Sequence, residues 1–204
     1  MQDIFSLIKD RRSIRKYQNK PVPQDLIEEV LVAAGWAPSA HNAQSWRFLV
    51  LTEESTKREL AETMAESWAA DMSKDGVKIE EEVIKVRVQR FASAPVLILA
   101  CSTMQGMNKQ PDVERQSVER DLAMQSLGAA MQNLLLSVHA KGLGACWFCA
   151  PSFCKETVRR VLRIPAEVEP QALIAMGYPS EKPAIPARKV LTDYCFRDKW
   201  GQTP

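Results

Sequence analysis

Three arginines and a serine stand together near the start of the chain, and these residue types could hold an anion. Residues 11–15 read Arg-Arg-Ser-Ile-Arg. Arginine can bind phosphate oxygens in pairs through its planar guanidinium group, and it keeps its charge at any ordinary pH. The alternative is a solvent-exposed basic run at a helix end, where cations complement the helix dipole. The segment alone leaves both interpretations open.

A second polar segment covers residues 37–48, which read Ala-Pro-Ser-Ala-His-Asn-Ala-Gln-Ser-Trp-Arg-Phe. Its hydroxyl, amide and imidazole groups lead into an apolar run, and loops held by rigid elements are where binding groups concentrate. We interpret His41 as a hydrogen-bonding partner within this loop rather than as a proton donor. His139, which falls late in a long helical pattern, is interpreted as structural.

Apolar periodicity predicts the elements that hold these segments. A short helix precedes the arginines, with Ile4, Leu7 and Ile8 packing one face, and another runs from about Asp25 to a C-cap at Gly35. Further helices are predicted near residues 54–70, 79–86, 115–141 and 157–162, the second of them a charged surface or lid helix. Strands are predicted at residues 46–52, 95–101, 145–149 and 171–176.

The glycines at 142 and 144 raise the question of a dinucleotide-binding loop. They follow a predicted helix and precede a predicted strand, which is the reverse of the context that such a loop requires. They therefore predict a helix end followed by a close backbone turn.

Composition limits the class of protein. The chain has 204 residues, and its 27 basic and 25 acidic side chains give a net charge of +2. Length alone would permit two domains, but no linker-like tract is found, so one domain over residues 1–204 is predicted. The small net charge does not favour a nucleic-acid or membrane surface. Without a signal-peptide pattern or an apolar run of about 18 residues, we expect a cytoplasmic protein.

Five cysteines, an odd number, favour reduced thiols over a disulfide framework. Cys146 and Cys149 form a Cys-x-x-Cys pair, and Cys154 could be imagined as a third metal ligand. A redox pair usually opens a helix, whereas this one lies in an apolar and extended run. Zinc would need a fourth ligand, so small buried hydrophobic residues are the favoured interpretation and no metal site is predicted.

Taken in order, these segments resemble the FMN-dependent nitroreductase family. The resemblance is carried by residues 11–15, by Pro-Val-Pro at 21–23, by residues 37–46, by Lys-Gly-Leu-Gly-Ala-Cys-Trp at 141–147, by Ile-Ala-Met-Gly-Tyr-Pro at 174–179 and by Arg-Lys at 188–189. It departs from the family at Ser45, where proline is usual. The resemblance implies an α+β fold, with a mostly antiparallel central sheet of four to five strands flanked by helices and completed as an intertwined homodimer.

The resemblance also implies a site for FMN, whose binding residues fall into four groups. Those expected near the phosphate are Arg11, Arg12, Ser13, Arg188 and, as a weaker match, Lys189. Arg15 is expected at the pyrimidine edge, where its charge would stabilise the reduced flavin. The other subunit is expected to contribute Pro38, Ser39, Ala40, Asn42 and Gln44. The segment expected beside flavin N5 is Cys149, Ala150, Pro151 and Ser152, with the backbone N–H of Ser152 as donor because proline has none.

The implied activity is hydride transfer from NADH or NADPH, through the flavin, to a small acceptor such as a nitroaromatic compound or a quinone. No protein acid or base is obliged by this chemistry, so no catalytic residue is assigned. Alternatives are a flavin-binding or redox-sensing protein without turnover, and a same-fold enzyme of deazaflavin metabolism, flavin degradation or dehalogenation. A thiol oxidoreductase acting through Cys146 and Cys149 is a further alternative.

Overall fold

The computed structural model describes residues 3–204, which form six α-helices and four β-strands. The helices are α1 Ile4–Asp10, α2 Gln24–Gly35, α3 Glu54–Lys74, α4 Glu81–Ala92, α5 Val113–Ala140 and α6 Lys155–Leu162. The strands are β1 Trp46–Leu51, β2 Val96–Thr103, β3 Gly144–Phe148 and β4 Val168–Gly177. Short 3-10 turns cover Ala40–Asn42, Ala150–Phe153 and Leu191–Asp193.

The strands form one sheet in the order β1-β2-β4-β3, and every neighbouring pair is antiparallel. Strand β2 lies in the middle of the sheet, and all eight of its residues are buried. That is why its sequence is a continuous apolar run rather than an alternating one. The predicted α+β class, with a mostly antiparallel sheet of four to five strands, is confirmed: the sheet has four strands and is antiparallel throughout.

Helices cover both faces of the sheet. On one face, Ile98 and Ile174 pack with the buried sides of α2 and α5. On the other, Leu97, Leu99 and Leu173 pack with residues of α3, α4 and α6. Because successive strand residues point to opposite faces, the single run of β2 supplies both halves of the core.

Three local predictions need correction. The charged helix α4 begins at Glu81 and ends at Ala92, so it lies later than predicted, and Val83 and Val86 of its apolar stripe are about half exposed, at 44% and 54%. Gly35 is the last residue of α2 rather than its cap, which is Trp36. The face of α1 that was expected to pack leaves Ile4 and Ile8 exposed within one chain.

Candidate functional site

The arginine segment is attached to the edge of the sheet. Ser13 forms a parallel bridge with Ala145 of β3, and the Ile14 N–H donates to the Ala145 carbonyl at 2.9 Å. The Tyr17 hydroxyl lies 2.5 Å from the Ile14 carbonyl and 2.9 Å from the Ala175 carbonyl of β4. Burial raises the pKa of Tyr17, so this hydroxyl keeps its proton and its capacity to donate. These contacts anchor the backbone that carries the arginines to the edge of the sheet.

Gly144 allows this attachment to be close. A Cβ atom at this position would stand 2.6 Å from Ile14 Cγ1 and 2.7 Å from Ile14 Cβ. Ile14 is itself buried, at 8% exposure. The predicted close backbone turn is therefore confirmed, and it serves to seat Ile14 on β3.

A cavity of about 540 Å³ opens beside this junction. Its wall includes Arg11, Arg12 and Lys182 as cations, with Asp10 and Glu181 as anions. Cavities of this size are typical of small-molecule and cofactor sites. The end of α5, residues 142–145 and apolar residues of the tail also belong to the wall.

The cavity wall is rich in hydrogen-bond donors. Arg12 Nη1 donates to the Lys9 carbonyl at 2.6 Å and to the Arg11 carbonyl at 2.8 Å. Arg12 Nε and His139 Nε2 are buried and have no hydrogen-bond partner within residues 3–204. Burial lowers the pKa of His139, Asp10 opposes that shift, and the charges of Arg11 and Arg12 add to it. A wall with more cationic than anionic side chains and with two buried, unpartnered nitrogens suits an anionic group such as a phosphate ester.

The start of the C-terminal tail is fastened to the same segment. One oxygen of the Glu181 carboxylate accepts from the Arg15 N–H at 2.6 Å and from the Lys16 N–H at 3.1 Å. The Ser180 N–H donates to the Lys16 carbonyl at 3.0 Å. The only hydrogen bond of the Arg15 guanidinium within the described chain is to the Ser13 carbonyl, at 3.4 Å. Its charged end therefore remains at the surface.

The polar loop is held in an unusual backbone conformation. His41, Asn42 and Gln44 have φ angles of +56°, +52° and +48°. Side chains other than glycine rarely adopt this region, and such strain persists only where surrounding contacts enforce it. The Ala40 N–H donates to Ser126 Oγ of α5 at 3.1 Å, and the Gln44 N–H donates to Ser39 Oγ at 3.1 Å.

Glu119 of α5 is the main anchor of this loop. Its carboxylate lies 3.1 Å from His41 Nε2, and it accepts from Gln110 Nε2 at 3.0 Å and from the Asn108 N–H at 3.3 Å. It is 4% exposed. The hydrogen bond from Gln110, followed by those from His41 and Asn108, lowers the pKa of Glu119. The interpretation of His41 as a loop hydrogen-bonding residue is confirmed, but Glu119 was missed.

The segment expected beside flavin N5 forms a turn after β3. The Ser152 N–H donates to the Cys149 carbonyl at 3.1 Å, and Ser152 Oγ donates to the Gln171 carbonyl at 2.6 Å. The expected free N–H at Ser152 is therefore already paired, because the 3-10 turn Ala150–Phe153 folds it back on the chain. Cys149 is exposed, whereas Cys146 is buried and its pKa is raised by that burial. A buried thiol of raised pKa is a poor nucleophile, which weighs against the dithiol alternative.

The comparisons with known proteins agree with this architecture. The sequence model of the Nitroreductase family matches residues 8–178. The chain belongs to the nitroreductase family. The match begins just before the arginine segment and ends with the turn after β4, so it includes the sheet, the polar loop and the part of the cavity wall that precedes the C-terminal tail.

Two curated relatives match most of the chain. An NADH dehydrogenase of Thermus thermophilus is 32% identical over 183 residues, which are 84% of this chain and 84% of the relative. An iodotyrosine deiodinase of Thermotoga neapolitana is 29% identical over 200 residues, which are 95% and 98% of the two chains. A protein of Desulfovibrio desulfuricans solved in complex with FMN has a TM-score of 0.73 and 26% identity, and the match covers 98% of this chain and 99% of that one.

The nitroreductase-like site is only partly assembled within one chain. Arg11 and Arg12 line the cavity, but the predicted phosphate ligands Arg188 and Lys189 lie exposed on the tail and are not part of its wall. The polar loop and the turn after β3 do not line this cavity either. The expectation that the loop comes from a second subunit stays a prediction.

Two further findings concern other classes of site. Within residues 3–204, no helix is both long and apolar enough to cross a membrane. Over the same residues, no cluster of three or more His, Cys, Asp or Glu side chains is arranged to hold a metal ion.

Proposed function

We propose that this nitroreductase-family protein binds FMN and transfers hydride from NADH or NADPH to a small organic acceptor, such as a nitroaromatic compound or a quinone. The observation that carries the proposal is the donor-rich cavity beside the junction of the arginine segment and β3. Two buried nitrogens of its wall, Arg12 Nε and His139 Nε2, have no hydrogen-bond partner within residues 3–204 and are available to bind a phosphate. The FMN complex of the Desulfovibrio relative supports the same cofactor.

In this proposal Arg11, Ser13 and Arg188 bind the phosphate. Arg12 assists, since its guanidinium already ties the Lys9 and Arg11 carbonyls together and so fixes the direction of the segment. Arg188 lies on the exposed tail, and we propose that its side chain approaches the cavity when the phosphate is bound, with Lys189 in a minor role.

Arg15 would stabilise negative charge at the pyrimidine edge of the ring. The Glu181 carboxylate accepts a hydrogen bond from the Arg15 backbone, and the Arg15 guanidinium is exposed. The guanidinium can therefore turn toward the ring without moving the backbone of the segment. Bound FMN supplies the redox chemistry, by accepting two electrons as hydride and giving them to a second molecule. The protein's part is to bind and orient the cofactor and to stabilise its charge.

We also propose a homodimer in which the second subunit contributes Pro38, Ser39, Ala40, Asn42 and Gln44. The loop that carries them is strained yet well anchored to α5, as expected of a segment that must present atoms to a ligand. The exposed apolar face of α1 supports an interface, since Ile4, Phe5 and Ile8 are left exposed by the rest of residues 3–204.

The test starts with the visible spectrum of the purified protein. A flavin spectrum that bleaches on anaerobic addition of NADH or NADPH, and returns when a nitroaromatic compound or quinone is added, is expected. Replacing Arg11 and Arg188 together by alanine should give a colourless dimer, whereas the exposed Arg160→Ala control on α6 should remain yellow. A wild-type protein that cannot bind FMN, or whose flavin neither nicotinamide reduces, would refute the proposal.

The similarity to an iodotyrosine deiodinase favours a second candidate. In that case two electrons and one proton would replace an aromatic halogen by hydrogen and release halide. Measuring halide release from a halogenated phenol by the reduced protein separates the two candidates, because reduction of a nitro group releases none.

A further inference from the structure

A pair of aromatic-walled cavities lies on the other side of the sheet from the arginine segment, under α3 and α4. The larger is about 440 Å³ and the smaller about 230 Å³. They share Arg87, Phe91, Ala150 and Phe153, so they are parts of one depression. The smaller one also includes Cys149, which belongs to the segment proposed to lie beside the flavin ring.

The walls of this depression suit a flat ring. Phe91 and Phe148 contact each other edge to face, with ring centroids 5.1 Å apart, and both line the smaller part. Trp68 lies in the larger part, and Phe153 is 84% exposed at the border of both. Aromatic rings give large contact areas with preferred stacked or edge-on geometries, so a planar guest is favoured over a branched aliphatic one.

Two cations, Arg87 and Arg90, line this depression. The guanidinium of Arg87 lies 3.8 Å from the Trp68 ring centroid, which holds it in place by cation–π attraction. Arg90 lies one helical turn further along α4 and lines the smaller cavity with it. Burial and the like charge of Arg90 lower the pKa of Arg87, as expected where two positive charges approach each other with little compensation.

Over the described part of the chain, no negatively charged side chain balances the arginines at the smaller cavity. No carboxylate lines that cavity, and within residues 3–204 neither Arg87 nor Arg90 forms an ion pair. Two carboxylates, Asp71 and Asp75, line the larger cavity, and Asp71 is engaged by Lys74 at 2.8 Å. Arg90 therefore gives the smaller, aromatic part a cation without a carboxylate partner among the described residues, and Arg87 lies at the border of the two parts.

From this geometry we infer that the depression is the acceptor subsite, and that Arg87 and Arg90 select aromatic acceptors carrying an anionic group such as a carboxylate. The inference rests on the proposed function, because it makes the bound ring the molecule that receives the electrons. Guanidinium groups pair with carboxylates through two parallel hydrogen bonds, which supplies orientation as well as attraction. The ring would lie among Phe91, Phe148 and Phe153, next to Cys149 and Ala150.

A binding measurement tests the inference without requiring turnover. Calorimetric titration of the purified protein with 4-nitrobenzoate and with the neutral 4-nitrobenzamide should show about tenfold tighter binding of the acid, as charge-assisted pairing implies. Arg87→Gln and Arg90→Gln should each reduce this preference, and together they should abolish it. The exposed Arg58→Gln on α3, whose partner is Glu54, is the matched control and should keep the preference.

Binding of the amide shows whether the depression is intact in each variant. Arg87→Gln also removes the contact with Trp68 and could weaken binding of the amide. In that case Arg90→Gln tests the inference, because Arg90 is exposed and its replacement should leave the depression intact. Equal affinities for acid and amide in the wild type, or a preference that survives the double replacement, would overturn the inference. Failure of the proposed function would appear elsewhere, as a flavin that no nicotinamide bleaches.

Discussion

Replacing Gly144 by alanine should weaken both the fold and the cofactor site. The added Cβ would lie 2.6–2.8 Å from three atoms of Ile14, including its Cβ, so the clash is not limited to the flexible end of that buried side chain. Overpacking of this kind costs about 1–3 kcal/mol. For a chain of this length each kcal/mol lowers the Tm by about 2–4 °C, so a decrease of about 2–12 °C is expected.

The same displacement should reach the arginines, since Ile14 holds them on β3 through its hydrogen bond to Ala145. If about 1.4 kcal/mol of the cost appears in binding, the Kd for FMN rises about tenfold. Thermal unfolding followed by circular dichroism gives the Tm, and quenching of flavin fluorescence on titration gives the Kd.

Gly35→Ala is the matched control. No atom lies within 4 Å of a Cβ at Gly35, and this glycine is helical. Alanine should therefore leave FMN binding unchanged and stabilise the fold by about 0.5–1 kcal/mol. If Gly144→Ala matches this control in both Tm and Kd, the close contact between Ile14 and β3 does not support the site.

Two other replacements probe buried charges. The Lys57 ammonium is buried and donates to the Ala94 and Pro95 carbonyls at 2.6 and 3.0 Å, so Lys57→Met should cost about 2 kcal/mol in urea unfolding. Burial lowers the pKa of Lys57 below the value of 10.5 that it has in the unfolded chain, so between these two pKa values the unfolded chain binds more protons than the folded one. The wild type should therefore gain stability relative to Lys57→Met as the pH rises toward 10.5. A stability difference that does not change with pH would contradict this. Hydrogen bonds, led by that from Gln110, lower the pKa of Glu119, so its stabilisation is complete above about pH 4.5 and is lost as the pH falls through the lower folded value. Glu119→Gln should show a flatter fall of Tm between about pH 5 and pH 3, and an unchanged slope would show that the loop does not depend on this carboxylate.

The sequence was a good guide wherever one local pattern decides the structure. The apolar run of β2 and the order of helix, glycine and strand at 140–145 each have one physical solution, and both were predicted correctly. The packing of α1 was predicted wrongly: Ile4 and Ile8 have the spacing of a buried face, but no part of residues 3–204 covers them.

The candidate site was predictable only in part. The arginine segment could be recognised because its charges are adjacent in sequence. Glu119 could not, because it lies 78 residues from the loop residue His41 and becomes significant only when α5 brings them together. The contact between Arg87 and Trp68 likewise depends on how α3 and α4 pack against each other. The hydrophobic periodicity of the sequence does not predict that packing.

The residues that hold the arginines also protect the sheet. Strand β3 is at the end of the strand order, and an exposed edge of this kind can pair with another chain. Here the bridge from Ser13 to Ala145 covers part of that edge. Mutations that detach residues 13–17 would therefore leave the edge of β3 unpaired and exposed. The same substitution should then both weaken the coenzyme site and promote aggregation.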